Sequence, residues 1–151
     1  MQTLTISKPD DFHLHLRDGA AMANIINYSA AQFSRAIVMP NLKPPITTVD
    51  MAVSYYNRIL DNVNEEYNFE PLMTLYLTDN MSPSEIDKAA ETKSITALKY
   101  YPAGATTNSD SGVTDIKKIY SVLEAMMKNG LPLLLHGEVN DIEVNVFDRE
   151  K

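Results

Sequence analysis

Short apolar runs alternate along the chain with longer segments in which apolar residues recur at helical spacing. This alternation is typical of βαβ units and of a parallel sheet. The pattern predicts strands at residues 12–17, 36–40, 72–78, 96–101 and 132–137. It predicts helices at residues 20–33, 49–63, 83–91 and 114–128.

Residues that favour helix ends support several of these boundaries. Thr48 can cap the second helix, and Ser82 precedes Pro83, a residue that suits the first position of a helix. Thr114 can cap the fourth helix, and Gly130 follows that helix as a natural stop. The fourth helix is therefore expected to begin directly after Thr114.

The fifth predicted strand contains Leu133-Leu134-Leu135 without any polar alternation, which indicates a strand covered on both faces. A closed barrel of such units needs eight strands and about 250 residues. The sequence therefore predicts an α/β fold, an incomplete (β/α)8 TIM-type barrel with about five of its eight strands. Residues 1–151 would form the amino-terminal part of one truncated catalytic domain. The alternative is an open, doubly wound sheet, which would be complete at this length.

The first predicted strand carries two histidines. Its alternation sets Phe12, Leu14 and Leu16 on one face against His13, His15 and Arg17 on the other. The two histidine Cα atoms would lie about 6.6 Å apart, which two ligands of one metal ion can span. Arg17 on the same face suits a substrate carboxylate. The alternative is a surface strand whose polar face is simply solvated.

Lys99 shares a face of the fourth predicted strand with Ile95 and Ala97. Burial lowers the pKa of a lysine, and the neutral amine can react with carbon dioxide to give a carbamate that bridges two cations. The alternative is a strand-end lysine whose ammonium reaches solvent. His136 ends the fifth predicted strand, where the reacting groups of (β/α)8 enzymes collect, although a lone histidine there can also be a core residue.

Two further segments follow strand ends. Asn41 closes the second predicted strand and could contact a substrate or cap the turn towards Lys43. Residues 103–112 form a small, polar, hydroxyl-rich loop after the fourth strand. Such a loop is either an inert connector or a mobile lid over a site.

Composition narrows the class of protein. A net charge of -7 and the lack of clustered Lys and Arg argue against nucleic-acid binding. The apolar stretches fall short of the roughly 20 residues that cross a bilayer, and residues 1–9 do not read as a signal peptide. Without cysteine, metal ligands must be His, carboxylate or modified Lys. These features predict a cytoplasmic enzyme or binding protein.

Five short motifs recur in a fixed order over nearly the whole chain: residues 11–18 (DFHLHLRD), 39–41 (MPN), 99–103 (KYYPA), 105–109 (ATTNS) and 135–138 (LHGE). Together they resemble the amidohydrolase superfamily, and within it the dihydroorotase family of the single-function bacterial type. The His-x-His motif alone would fit many metal hydrolases. The resemblance is narrowed to the dihydroorotase family by Lys99, by the loop of residues 103–112 and by Arg17.

The resemblance implies two zinc ions. His13 and His15 would bind the more buried zinc, an N6-carboxylated Lys99 would bridge both ions, and His136 would bind the second. It also implies a small-molecule substrate bordered by His15, Arg17, Asn41, Thr106, Thr107 and His136. Arg17 and Asn41 would hold the substrate carboxylate, and the two threonines would belong to a loop that folds over it.

The implied reaction is the reversible ring closure of N-carbamoyl-L-aspartate to (S)-dihydroorotate in pyrimidine (UMP) biosynthesis, carried out by a homodimer. The family also uses a further histidine and a catalytic aspartate from strands beyond Lys151. The polypeptide as given is therefore expected to be inactive and to expose the edges of its first and fifth strands. The alternatives are a hydantoinase-like or deaminase-like amidohydrolase, and a non-catalytic relic of a metal site.

Overall fold

The computed structural model describes residues 3–139, 141 and 143–150. Within this part of the chain, five parallel strands form one sheet in the order β1-β2-β3-β4-β5. The strands are β1 Asp10–Leu14, β2 Arg35–Val38, β3 Glu70–Tyr76, β4 Ile95–Tyr100 and β5 Leu133–Leu135. A doubly wound sheet reverses its strand order at a switch point, so the sequential order excludes that alternative. The predicted incomplete (β/α)8 barrel is confirmed.

Four α-helices connect the strands: α1 Gly19–Gln32, α2 Val49–Leu60, α3 Pro83–Glu91 and α4 Tyr120–Asn129. Short 3-10 helices lie at Ile116–Ile119 and Val146–Asp148. The predicted caps Thr48 and Ser82 accept hydrogen bonds from the first turns of α2 and α3. Gly130 ends α4 in the left-handed region with φ of 69°, which glycine adopts without steric cost.

The predicted start of the fourth helix was wrong. Thr114 does not cap a helix. Its hydroxyl donates to the carboxylate of Asp79 at 2.6 Å, and the hydroxyl oxygen accepts from the Nζ of Lys118 at 2.7 Å instead of from a helix N–H. Asp115 instead caps the 3-10 helix by accepting from the N–H of Lys117 at 2.9 Å. The α-helix begins only at Tyr120, directly after this 3-10 helix.

The core lies between the helices and the sheet, and consecutive helices pack against one another. Its members include side chains fully shielded from solvent on α1, α2, β3 and β4: Ile26, Ile59, Leu75 and Leu98. Each crossover from one parallel strand to the next therefore buries the apolar face of its own helix. No helix in the described ranges is long and apolar enough to cross a membrane.

The two edge strands depart from expectation. Leu133 and Leu135 of β5 are 40% and 61% exposed, so the prediction that this strand is covered on both faces was wrong for this structure. Within the described residues β5 pairs with β4 alone, so it lies at the edge of the sheet with one side unpaired. Phe12 on β1, the other edge, is 71% exposed.

The first strand is also shorter than predicted. It ends at Leu14, and its pairing with β2 shifts register between Asp11 and Leu14, so strict alternation does not continue to Arg17. His13 is consequently exposed, whereas Leu16 is fully buried.

Candidate active site

The residues singled out by the sequence lie at the carboxyl ends of the parallel strands. His13 lies in β1 and Lys99 in β4, while Asn41 and His136 follow β2 and β5. A cavity of about 200 Å³ opens there. It is lined by His13, His15, Arg17, Asn41, Tyr101, Thr106, Thr107 and His136. The structure therefore brings seven of the eight predicted site residues to one cavity, and the eighth, Lys99, packs against its wall through Tyr101.

The imidazoles of His13 and His15 face each other with their Nε2 atoms 3.1 Å apart. Zinc binds histidine nitrogen at about 2.0–2.1 Å, so two nitrogens 3.1 Å apart subtend roughly 100° at a shared ion. That angle is near the tetrahedral value. The two side chains therefore fit two ligands of one zinc ion.

The surroundings lower the pKa of both imidazoles and so favour their neutral form. Burial lowers the pKa of His15, and the nearby positive charges of His13 and Arg17 lower it further. Partial burial of the ring also lowers the pKa of His13, and the positive charge of Lys99 is the next largest cause of this lowering. Metal ions bind the neutral imidazole, so this environment favours the form that a metal needs.

Lys99 is 3% exposed, so the alternative in which its ammonium reaches solvent is wrong. Burial lowers the pKa of its amine. Its Nζ lies 5.2 Å from the centre of the Tyr101 ring, and it forms no ion pair with any carboxylate in residues 3–139, 141 and 143–150. A buried amine without a counter-ion is the state that favours the neutral, nucleophilic form.

His136 borders the cavity, but its Nε2 lies 2.8 Å from a carboxylate oxygen of Glu138. Arg149 approaches the other oxygen of Glu138 at 3.9 Å. Within the described residues, no three His, Asp or Glu side chains cluster closely enough to hold one metal ion. His13 and His15 thus provide two ligands of a metal site, and His136 is not clustered with them.

Arg17 sits in a constrained backbone. Its φ is 63°, in the left-handed region that costs a non-glycine residue about 1–2 kcal/mol. Its carbonyl accepts a hydrogen bond from the buried hydroxyl of Tyr55. The next residue, Asp18, accepts from the N–H of Gly19 at 2.8 Å and pairs with Arg58 at 2.7 Å. Contacts on both sides therefore hold the turn that brings Arg17 to the cavity.

The loop of residues 103–112 is tied to the ends of β2 and β3. The amide nitrogen of Asn41 donates to the carbonyl of Thr107 at 2.9 Å, and the amide nitrogen of Asn108 donates to the carbonyl of Asn41 at 3.0 Å. The hydroxyl of Tyr76 donates to the carbonyl of Asn108 at 3.2 Å. Asn41 therefore holds the loop with its nitrogen, and its Oδ1 has no partner among the described residues.

Tyr101 is a site residue that sequence reasoning missed. It is 1% exposed and lines the cavity, and its hydroxyl has no hydrogen-bond partner in the described part of the chain. Burial raises the pKa of this hydroxyl, so it stays protonated at neutral pH. Its spacing of two residues from Lys99 was the available signal, since residues two apart on a strand share a face.

Comparison with known proteins agrees with this architecture. The amidohydrolase family model matches residues 10–150. A dihydroorotase of Acaryochloris marina is 61% identical over 151 residues, which are 100% of this chain and 44% of that protein. The chain thus spans less than half the length of the curated relatives it matches.

Solved structures give the same result. Dihydroorotase from Campylobacter jejuni superposes with a TM-score of 0.85 at 42% identity, covering 95% of this chain and 41% of that one. Dihydroorotase from Saccharomyces cerevisiae, in complex with 5-fluoroorotic acid, has a TM-score of 0.84 at 35% identity, covering 94% and 41%. The sequential parallel sheet, the residues gathered at its carboxyl edge and the family match together show that this chain belongs to the amidohydrolase family.

Proposed function

We propose that this chain forms the amino-terminal part of the catalytic barrel of a dihydroorotase. The enzyme interconverts N-carbamoyl-L-aspartate and (S)-dihydroorotate in pyrimidine biosynthesis. The observation that carries the proposal is the paired imidazoles of His13 and His15 beside the buried Lys99 and the cationic Arg17, all at one edge of the sheet. Identity of about 60% to several curated dihydroorotases supports it.

The metal site follows from the donors present. His13 and His15 would hold one zinc ion, an N6-carboxylated Lys99 would be a ligand shared with a second ion, and His136 would be the histidine available to that second ion. When bound, the zinc ions polarise the amide carbonyl and activate water. The unpaired, buried amine of Lys99 supports carboxylation, because a carbamate exchanges a costly buried ammonium for an anion that cations can neutralise.

The substrate lies in the cavity with its carboxylate at Arg17, whose guanidinium can form two parallel hydrogen bonds to it. Asn41 holds the carboxylate together with Arg17 through the second N–H of its amide, since the first donates to the carbonyl of Thr107. His15 and His136 border the substrate, and Thr106 and Thr107 cover it from the loop. The yeast relative crystallised with 5-fluoroorotic acid, a pyrimidine carboxylic acid, which suits this arrangement.

The rest of the site is supplied by residues outside this stretch, as a further histidine and a catalytic aspartate from later strands. The stretch of residues 1–151 by itself is then inactive. The whole enzyme is a homodimer in the cytoplasm. The exposed apolar residues on β1 and β5 support association of these edges with further strands or with another copy.

The test is direct measurement on the protein at its native length. We expect zinc-dependent opening of dihydroorotate, measured by the loss of its ring absorbance, and zinc content that falls in His13→Ala and His15→Ala. Gln32→Ala is the matched control, because Gln32 ends α1 just before β2 begins, towards the amino ends of the strands and away from the cavity. Turnover of other cyclic amides without dihydroorotate would favour a hydantoinase-like enzyme, and absence of zinc in the wild type would favour a non-catalytic relic.

A further inference from the structure

Three buried polar atoms lack hydrogen-bond partners among the described residues: His15 Nδ1, Asn41 Oδ1 and the Tyr101 hydroxyl. All three belong to side chains that line the same cavity. A buried polar group without a partner is costly, and native proteins rarely keep one without a purpose. Their meeting at one cavity indicates that something bound there supplies the missing partners.

The Tyr101 hydroxyl is held firmly in place. Its ring stacks on Tyr76 with centres 5.2 Å apart, and the Nζ of Lys99 lies 5.2 Å from its centre. The backbone carbonyl of Tyr101 accepts from the N–H of Val113 at 2.9 Å. A donor fixed in this way loses little conformational freedom when a ligand binds, which makes its hydrogen bond more effective.

The neighbourhood of the hydroxyl indicates what it binds. Arg17 lines the same cavity, and its positive charge acts on Tyr101 against the larger effect of burial. A guanidinium and a phenolic O–H beside one cavity are both donors. The chemical group that satisfies two such donors is an anionic oxygen acceptor, as in a carboxylate.

We propose that Tyr101 is a further substrate-binding residue, whose hydroxyl donates a hydrogen bond to an oxygen of the carboxylate that Arg17 binds. The inference rests on the proposed function, because that function places a pyrimidine carboxylic acid in the cavity. Tyr101 thus adds to the recognition of the carboxylate over a neutral ring. The carboxylate keeps its charge throughout the reaction, so the contact contributes to ground state and transition state alike.

The test compares Tyr101→Phe with the wild type in the zinc-loaded protein at its native length. The probes are 5-fluoroorotate and 5-fluorouracil, which share a ring and differ in the carboxylate. Hydrogen bonds to charged groups contribute enough that we expect Kd for 5-fluoroorotate to weaken about ten-fold or more by calorimetry. Binding of 5-fluorouracil should not change. Tyr100→Phe is the matched control, because Tyr100 lies next to Tyr101 on the chain but does not line this cavity.

Two further readouts separate a binding role from a structural one. Without ligand, Tyr101→Phe should melt at the same temperature as the wild type or higher. The change removes a hydroxyl that has no hydrogen-bond partner among the described residues. For dihydroorotate, KM should rise in proportion to the loss of binding while kcat stays within about three-fold.

Three results would overturn the inference. Equal binding of 5-fluoroorotate by Tyr101→Phe and the wild type would show that the hydroxyl does not contact the carboxylate. A clearly lower melting temperature without ligand would show that the hydroxyl serves the fold. Failure of the wild type itself to bind 5-fluoroorotate would overturn the proposed function together with this inference, and so differs from failure of the inference alone.

Discussion

The hydroxyl of Tyr55, in the middle of α2, donates a hydrogen bond to the backbone carbonyl of Arg17, which has a left-handed φ of 63°. The helix behind the sheet thus stabilises the backbone conformation of a residue that lines the cavity. Asp18 and Arg58 add an ion pair from the same helix to the same turn. The position of Arg17 therefore depends on α2 as well as on the turn that follows β1.

Replacement of Tyr55 by Phe should loosen this turn. The carbonyl of Arg17 loses its donor, which we expect to cost about 1–2 kcal/mol in the free energy of unfolding, measured by urea denaturation. KM for dihydroorotate should rise, because Arg17 is less firmly held. Tyr56→Phe is the control, since Tyr56 is only partly buried and packs at the border of the core. Equal effects of the two changes would contradict the assigned role of Tyr55.

Asn108 should prove important for the loop of residues 103–112 in two separable ways. Its φ is 57°, and its amide bonds to the carbonyl of Asn41. Asn108→Gly keeps the left-handed conformation and loses only the hydrogen bond, whereas Asn108→Ala loses both. We expect Asn108→Ala to be the less stable variant by about 1 kcal/mol, measured by chemical denaturation. If the alanine variant equals the glycine variant, the backbone conformation of Asn108 does not matter to stability.

Asp79 should give the protein an acid-sensitive contact. Hydrogen bonds from Lys118 and Thr114 hold the pKa of Asp79 at about 2, below the ordinary value of 3.8. A depressed folded-state pKa means that the contribution to stability is present above pH 3.8 and is lost as the pH falls through about 2. The melting temperature of Asp79→Asn should therefore lie below that of the wild type at pH 5, and the two should converge near pH 2.

The control for this experiment is Asp61→Asn at the exposed end of α2, which forms no ion pair with the part of the chain that the structure describes. Its melting temperature should follow the wild type across the same pH range. A difference between Asp79→Asn and the wild type that stays constant down to pH 2 would contradict the assigned role of the carboxylate.

Lys99→Met should separate chemistry from packing. The change puts a flexible apolar side chain at a position that is 3% exposed and removes the amine. Folding stability should therefore be retained or improved. Zinc content should fall, and activity should drop by more than about a hundred-fold, since loss of a supporting contact to a metal ligand already costs 10–100-fold. Lys93→Met, at an exposed position before β4, is the control. Wild-type zinc content in Lys99→Met would contradict a bridging role.

Local patterns in the sequence were enough for much of the fold. The alternation of strand and helix segments, the caps Thr48 and Ser82 and the stop at Gly130 all depend on residues within a few positions of one another. The candidate site was found for the same reason. His13 lies on β1 and His15 directly follows that strand, while Lys99 lies near the end of β4 and His136 directly follows β5. Only their metal and substrate roles stay predictions.

What the tertiary structure decided are the contacts between distant segments. The hydroxyl of Thr114 contacts Lys118 and Asp79, which lies 35 residues earlier, and does not cap the predicted helix. The amide nitrogen of Asn41 donates to the carbonyl of Thr107, 66 residues away. The Tyr101 hydroxyl has no hydrogen-bond partner in the described part of the chain. The sequence by itself determined which segments become strands and helices and which residues carry chemistry, because short-range sterics and side-chain periodicity set these. Only the tertiary structure decided which hydrogen bonds form, how exposed the edge strands are and which polar atoms of the cavity stay unpaired among the described residues. These features depend on which distant groups come close enough to bond or to pack.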